Sequence, residues 1–163
     1  MGYRRFNRVE ALDDSYSGDI KTVRLSPEAE IARLICLAEA ASDSGKGFSV
    51  LNFRRTSSDN ANEYAYTAKP KYIRKAINLI NSNPRLGWNY WVEQAPDQNG
   101  YDSVIVYFDY KVNGKRIQVS FHTPLGIAGD LIRYIGKGRK TRWNKKLMGS
   151  IAACRMLINQ FNL

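Results

Sequence analysis

The sequence predicts an α+β fold, in which helices pack on one face of an antiparallel sheet of three to five strands. The first observation is Asn113-Gly114 between two alternating runs. This is the strongest short-range signal for a β-hairpin, because a type I′ turn needs positive φ at both central residues. The second is a further strand pattern before the hairpin, which gives a meander from Trp88 to Thr123. The third is amphipathic helical spacing on both sides of this meander.

The hairpin turn fixes which residues of its two strands lie opposite each other. Tyr110 then faces Ile117, and every second pair back to Val106 is apolar, which defines the face that packs on the core. The opposite face carries polar and aromatic pairs, among them Asp109 with Gln118. We therefore expect one core face and one polar, aromatic face.

The other elements follow from start and stop signals along the chain. Ser26-Pro27-Glu28 supplies an N-cap, a first-turn proline and an acid, and so begins a helix that runs to about Ala41. Residues 70–82 place isoleucine and alanine at helical spacing, with basic residues on the opposite face. The remaining predicted elements, in order, are a strand at 48–55 after the first helix, a loop at 56–68, a helical segment at 125–135, a basic loop at 136–146 and a last helix capped by Asn144 or Ser150.

Length and composition indicate a single domain over residues 26–163, preceded by a partly ordered N-terminal arm at residues 1–25. The sequence has no run of about 18 apolar residues and no apolar run behind the basic N-terminus, which argues against a membrane span and a signal peptide. These features favour a soluble, cytoplasmic protein, in the host cytoplasm if a phage encodes it. Cys36 and Cys154 lie in no metal-ligand cluster, which predicts two buried free thiols, no metal site and no cofactor.

Positive charge is concentrated in the last third of the chain. Residues 1–109 hold 14 basic and 14 acidic residues, whereas residues 110–163 hold 11 basic residues and one acid, Asp130. This segment therefore accounts for the whole net charge of +10. Such a one-sided distribution indicates a polyanionic partner, and we expect a nucleic acid, RNA or DNA, or a protein that processes nucleic acid.

The basic loop at residues 136–146 is the main candidate binding segment. Six of its eleven residues are basic, its glycines let the backbone approach a phosphate, and Trp143 offers a ring on which a base can stack. The alternative role for Trp143 is that of an anchor in the core. The predicted nucleic-acid contacts are Lys111, Lys115, Arg116, Arg133, Lys137, Arg139, Lys140, Arg142, Trp143, Lys145 and Lys146, with Tyr107 and His122 as accessory contacts.

A metal-dependent nuclease is one alternative. Glu93 and Asp109 fall on neighbouring predicted strands, and Lys111 follows Asp109 on the same face. This arrangement resembles the acids and lysine of restriction-type nucleases, in which the carboxylates hold the metal ion.

A divergent double-stranded-RNA-binding domain is the other alternative. From residue 70 onwards the chain has the order helix, three antiparallel strands, helix, which is that of this family. Gly136-Lys-Gly-Arg, then Asn144-Lys-Lys, then Ala152-Ala153 resemble its glycine-rich turn, lysine pair and alanine-rich last helix. The intervening residues 125–135 and the lack of a Gly-Pro-x-His loop depart from its pattern.

Taken together, the residues favour a non-enzymatic basic protein that binds nucleic acid or a nucleoprotein machine, with weak sequence specificity and strong salt dependence. Small basic domains without a catalytic constellation are frequent among accessory proteins of phages and mobile elements. Some of these inhibit host defence nucleases, as anti-CRISPR proteins do, and such a role is our expectation for the biological setting.

Overall fold

The structure, a computed structural model, describes residues 25–42, 61–144 and 149–163, with the backbone alone for residues 61–68. Its elements, in chain order, are helix α1 (Pro27–Ala40), helix α2 (Ala61–Ser82), strands β1 (Trp88–Pro96), β2 (Asp102–Val112) and β3 (Lys115–Pro124), a 3₁₀ helix (Gly129–Tyr134) and helix α3 (Ser150–Phe161). The three strands form an antiparallel sheet in the order β1-β2-β3. The predicted α+β fold is therefore confirmed, with three strands in the described part of the chain.

The β2–β3 hairpin forms as its turn signal predicts. Asn113 and Gly114 have φ values of 53° and 77°, the positive values that a type I′ turn needs. Tyr110 pairs with Ile117, and the predicted register holds along the whole hairpin. Alternate residues of all three strands are consequently buried on one face of the sheet.

The three helices pack on this apolar face. α1 contacts both α2 and α3, while α2 lies against β1 and α3 lies against β3. Ser26 caps α1 as predicted, and Glu28 in its first turn fastens the helix to the sheet. The Glu28 carbonyl accepts the indole N–H of Trp88 at 3.1 Å, and its carboxylate accepts the hydroxyl of Tyr110 at 2.7 Å. The helices thus cover the apolar face of the sheet, and they do not cover its polar face.

Two buried free cysteines lie in the helix layer, as the sequence predicts. Cys36 in α1 and Cys154 in α3 are both free and buried, and the Cys36 thiol lies 3.7 Å from the Cys154 carbonyl oxygen. Burial raises the pKa of the Cys154 thiol, so the group stays protonated at neutral pH. Within the described ranges, no helix is long and apolar enough to cross a membrane.

The predicted start of α2 is wrong. Residues 61–68, predicted as part of a loop, belong to this helix, and Pro70 lies inside it instead of in its first turn. Proline lacks the N–H that an interior helical residue donates, so its usual position is at a helix start. Here Pro70 lies in the helix interior and is buried.

The predicted α-helical segment at 125–135 is also corrected. It forms a turn and then the 3₁₀ helix, which begins at Gly129 with φ of 55°, a value outside the α-helical region. Two hydrogen bonds hold this segment on α2. Arg74 donates to Asp130 at 2.9 Å, and the Tyr134 hydroxyl donates to the Asn78 side chain at 2.7 Å.

Neither of the predicted caps, Asn144 and Ser150, caps the last helix. Gly149 is its N-cap, and the hydroxyl of Ser150 donates to Glu39 of α1 at 2.9 Å instead of capping α3. The order α2, three strands, α3 matches the prediction. Residues 1–24 of the predicted arm and the predicted strand at 48–55 lie outside the described residues.

Candidate functional site

Residues 136–144, which we call the basic strap, leave the 3₁₀ helix and join the free edge of β1. The Gly136 N–H donates to the Val92 carbonyl at 2.8 Å, and Gly138 forms an antiparallel bridge with Trp91. Gly138 has φ of 89°, and a Cβ atom there would lie 2.3 Å from the Tyr90 carbonyl oxygen. The sequence suggests that this glycine opens the backbone to a phosphate. In the structure the close approach is to the backbone of β1.

The far end of the strap is held by Gln118 of β3. The Gln118 side chain is buried; its amide nitrogen donates to the Arg142 carbonyl at 3.0 Å and its oxygen accepts the Asn144 N–H at 2.9 Å. Since β1 and β3 are the two outer strands, the strap crosses the polar face of the sheet from one edge to the other. Both ends are therefore fixed by hydrogen bonds to the sheet.

Aromatic side chains fill the centre of this face. The rings of Trp143 in the strap and Tyr107 in β2 meet edge to face, with centroids 4.9 Å apart. Trp143 is half-buried, so it both anchors the strap and keeps an accessible surface. The ammonium group of Lys140 lies 5.8 Å from the ring centre of Trp91, a favourable cation–π distance.

Glu93 of β1 accepts hydrogen bonds from two of these aromatic residues. The Tyr107 hydroxyl donates to one carboxylate oxygen at 2.7 Å, and the Trp91 indole N–H donates to the other at 3.3 Å. Burial raises the pKa of Tyr107, and the bond to Glu93 raises it further. The phenol therefore stays protonated and remains a donor to the carboxylate at neutral pH.

A cavity of about 300 Å³ opens between the strap and the sheet. This is the small end of the range for ligand pockets. Aromatic rings and two carboxylates line its floor, and polar strap residues close it from above. The lining side chains that matter for its chemistry are those of Trp91, Glu93, Tyr107, Asp109, Lys140 and Trp143.

Asp109, the second carboxylate, is neutralised by Arg116. The guanidinium group donates to both carboxylate oxygens, at 2.9 and 3.0 Å, and this bond raises the pKa of Arg116. Asp109 is opposite Asn89 of β1, and Asn89 is four residues before Glu93. The Cα atoms of the two acids are therefore roughly 13 Å apart along the strand direction. The Trp91–Tyr107 pair lies between them. The structure thus does not bring together the acids of the nuclease alternative, and no cluster of three metal-ligating side chains occurs among the described residues.

Four cationic side chains of the strap are exposed, namely those of Lys137, Arg139, Lys140 and Arg142. None of them forms an ion pair with an acid in the described part of the chain. Asp130, the sole acid after residue 109, pairs with Arg74 instead, and this hydrogen bond holds the pKa of Asp130 below its usual value.

The hairpin cations divide between the two faces of the sheet. Lys111 and Arg116 are opposite each other on the face that the strap crosses. Lys111 extends the basic surface there, whereas the charge of Arg116 is balanced by Asp109. Lys115 projects to the helix side, where it donates to Gln160 of α3 at 3.2 Å. The predicted contribution of Lys115 to the same surface therefore does not fit its position.

Two other predicted residues lie at the margins. The guanidinium group of Arg133 stacks on the ring of Tyr134 at 5.0 Å, next to the start of the strap, and lies 3.8 Å from Asp130. His122 is on the strap face but four residues along β3 from Gln118, roughly 13 Å from the strap anchor. Burial lowers its pKa, so the ring is neutral at pH 7. Lys145 and Lys146 lie outside the described residues.

Sequence reasoning missed the parts played by Trp91 and Gln118. Trp91 is opposite Tyr107 in the β1–β2 register, which places two large aromatic side chains together on a face that is otherwise polar. This pairing is a sequence signal for a covered or ligand-binding surface. No such signal exists for Gln118, because its bonds to residues 142 and 144 depend on the path of the strap.

Comparisons with known proteins give no relative on which to rely. No family model matches the chain, and the searches of curated proteins and of solved structures find no significant match.

Proposed function

We propose that this is a non-enzymatic protein that binds nucleic acid, with the basic strap as its main contact to the phosphate backbone. The observation that carries the proposal is a row of four exposed cations with no acidic partner among the described residues, on a backbone fixed at both ends. Exposed cations without acidic partners leave their charge available to a polyanion, and the release of counterions from the nucleic acid drives such binding.

The geometry of the strap supports this role in a second way. Its hydrogen-bonded anchors are glycine backbone groups and the Gln118 side chain, so none of the cationic side chains of Lys137, Arg139 and Arg142 is used to hold it. A fixed backbone also means that little chain entropy is lost when the cations engage phosphates. Lys111 continues the positive surface along the hairpin, whereas the charge of Arg116 is balanced by Asp109.

The acids beneath the strap do not oppose binding of a polyanion. Asp109 is neutralised by Arg116 and is 4% exposed, and Glu93 is covered in part by the aromatic donors Tyr107 and Trp91. All four strap cations are exposed, and Lys140 and Arg142 line the cavity that contains these acids. The surface that faces solvent is thus predominantly cationic.

Fluorescence anisotropy with a labelled single-stranded oligonucleotide tests the proposal. We expect binding at about 50–100 mM salt that weakens steeply as salt is added. The triple variant Lys137/Arg139/Arg142→Ala should bind far more weakly, since three phosphate contacts are lost. A matched control removes three cations outside the strap, in α2, in the turn after it and in α3 (Lys71/Arg85/Arg155→Ala), and should retain most of the affinity despite the same change in net charge. Equal losses in the two variants, or no binding by the wild type, would contradict the proposal.

The biological setting stays a prediction. An accessory protein of a phage or mobile element, such as an anti-CRISPR inhibitor, fits a small basic domain that occupies a nucleic-acid channel or a guide RNA. Inhibition of a purified defence nuclease that is lost in the strap triple variant would support this setting, whereas inhibition that is unchanged in that variant would indicate contact with the nuclease protein alone.

A further inference from the structure

We infer that the cavity under the basic strap binds one unstacked guanine base of a single-stranded nucleic acid, with Glu93 as the acceptor for the Watson–Crick edge of the base. This inference rests on the proposed function and names the substrate class of the same site. Three features of the cavity carry it: the aromatic walls, the carboxylate acceptors and the cations at the rim.

The walls suit a planar aromatic ring. Trp91, Tyr107 and Trp143 all line the cavity and all are half-buried, so each keeps ring surface for a ligand. A cavity of about 300 Å³ has room for a single base but excludes a duplex. Proteins that bind single strands commonly stack such bases on aromatic side chains.

The acceptor is provided by Glu93. A carboxylate oxygen has two acceptor positions, so the carboxylate offers about four. The Tyr107 hydroxyl uses one position on one oxygen, and the Trp91 indole N–H uses one on the other. Each oxygen therefore retains one acceptor position, and Glu93 has no cationic partner among the residues that the structure describes.

Two free acceptor positions on adjacent oxygens select among the bases. Guanine presents two neighbouring N–H donors, at N1 and N2, which match the two oxygens of a carboxylate. Adenine and cytosine place a ring acceptor beside their single amino group, and uracil flanks its N–H with two carbonyl oxygens, so each would direct an acceptor at the carboxylate. Guanine alone therefore satisfies both oxygens of Glu93 without repulsion.

The cations at the rim exclude the main competing ligand. An aromatic cavity with carboxylates is also typical of sites for ammonium groups. Here, however, Lys140 already places its ammonium group over Trp91, and Arg142 lines the same cavity. A second cation would be repelled by these two residues. A nucleotide, in contrast, places its neutral base inside the cavity and its negatively charged phosphates near Lys140 and Arg142.

The test uses a short oligouridine in which one central nucleotide is guanosine, inosine, adenosine, cytidine or uridine, with affinity measured by fluorescence anisotropy. The guanosine oligonucleotide should bind about 5- to 150-fold more tightly than the others, the discrimination that a bidentate contact to a base provides. Inosine lacks the N2 amino group, so it should lose most of this preference without any change to the protein. Glu93→Gln should abolish the preference but keep salt-dependent binding, and its melting temperature should confirm that it folds.

The failures of the two proposals can be told apart. Equal affinity for all five oligonucleotides, inosine as tight as guanosine, or an undiminished guanosine preference in Glu93→Gln would each overturn the guanine site while the strap still binds nucleic acid. No binding to any oligonucleotide at about 50–100 mM salt would overturn the proposed function as well.

Discussion

Replacement of Gly138 by alanine should detach the strap from the edge of β1. A Cβ atom at this position would lie 2.3 Å from the Tyr90 carbonyl oxygen and 3.0 Å from the Tyr90 carbonyl carbon, and both atoms belong to the backbone of a paired strand. The φ of 89° adds a conformational cost of about 1–2 kcal/mol for a residue with a side chain. Steric overlap in a packed region adds about 1–3 kcal/mol. We therefore expect the free energy of unfolding to fall by about 2–5 kcal/mol.

Gly136→Ala is the matched control for this substitution. Gly136 also has positive φ, 76°, but a Cβ atom there would meet nothing within 4 Å, so only the conformational cost of about 1–2 kcal/mol applies. Urea denaturation followed by circular dichroism measures both variants, and oligonucleotide binding should weaken more in Gly138→Ala because the strap is displaced. If both variants lost the same stability and the same affinity, the close approach of Gly138 to Tyr90 would not be what holds the strap.

Three further predictions concern the strap and its surroundings. Trp143→Ala should weaken oligonucleotide binding by about 1–3 kcal/mol through loss of stacking, as measured by anisotropy, whereas Trp143→Phe should retain most of it; equal losses would contradict a stacking role. Removal of Lys137, Arg139 and Arg142 should reduce the magnitude of the slope of log affinity against log salt by about 2, since each phosphate contact to a single strand contributes about 0.7; an unchanged slope would contradict these contacts. The lowered pKa of Asp130 means that its bond to Arg74 stabilises the fold above about pH 4 and is lost as the pH falls through the folded pKa. Denaturation at pH 7 should therefore show a loss of no more than about 1 kcal/mol for Asp130→Asn, and this difference should vanish near pH 2.

Most of the fold could be predicted because its signals are local. The Asn113-Gly114 turn sets the hairpin register because both of its residues must adopt positive φ values. Ser26 and Pro27 are neighbours in the sequence and together mark the start of α1. The start of α2 could not be predicted in this way. Pro70 is a local signal for a helix start, yet the helix begins at Ala61 and continues through it.

The candidate site was predicted in its composition but not in its arrangement. The sequence shows that residues 136–144 are cationic and that Trp143 is among them. It does not show that Gln118 fixes their path or that Trp91 lies beneath them, because both relations join residues more than 20 positions apart across a sheet. Such contacts follow from strand order and edge pairing, which leave no periodic pattern in the sequence. The same dependence on register separates Glu93 from Asp109, although the sequence allows them to be neighbours.

The most direct test of nucleic-acid binding at the strap is a titration of the ¹⁵N-labelled protein with a single-stranded oligonucleotide, followed through its three indole N–H signals by NMR. Trp91 and Trp143 lie in the strap cavity, whereas Trp88 is buried on the opposite face, where it donates to Glu28. Single Trp→Phe variants assign the three signals. We predict that the Trp91 and Trp143 signals shift on binding while that of Trp88 stays in place. Binding that shifts the Trp88 signal alone, or shifts none of the three, would contradict a nucleic-acid site at the strap.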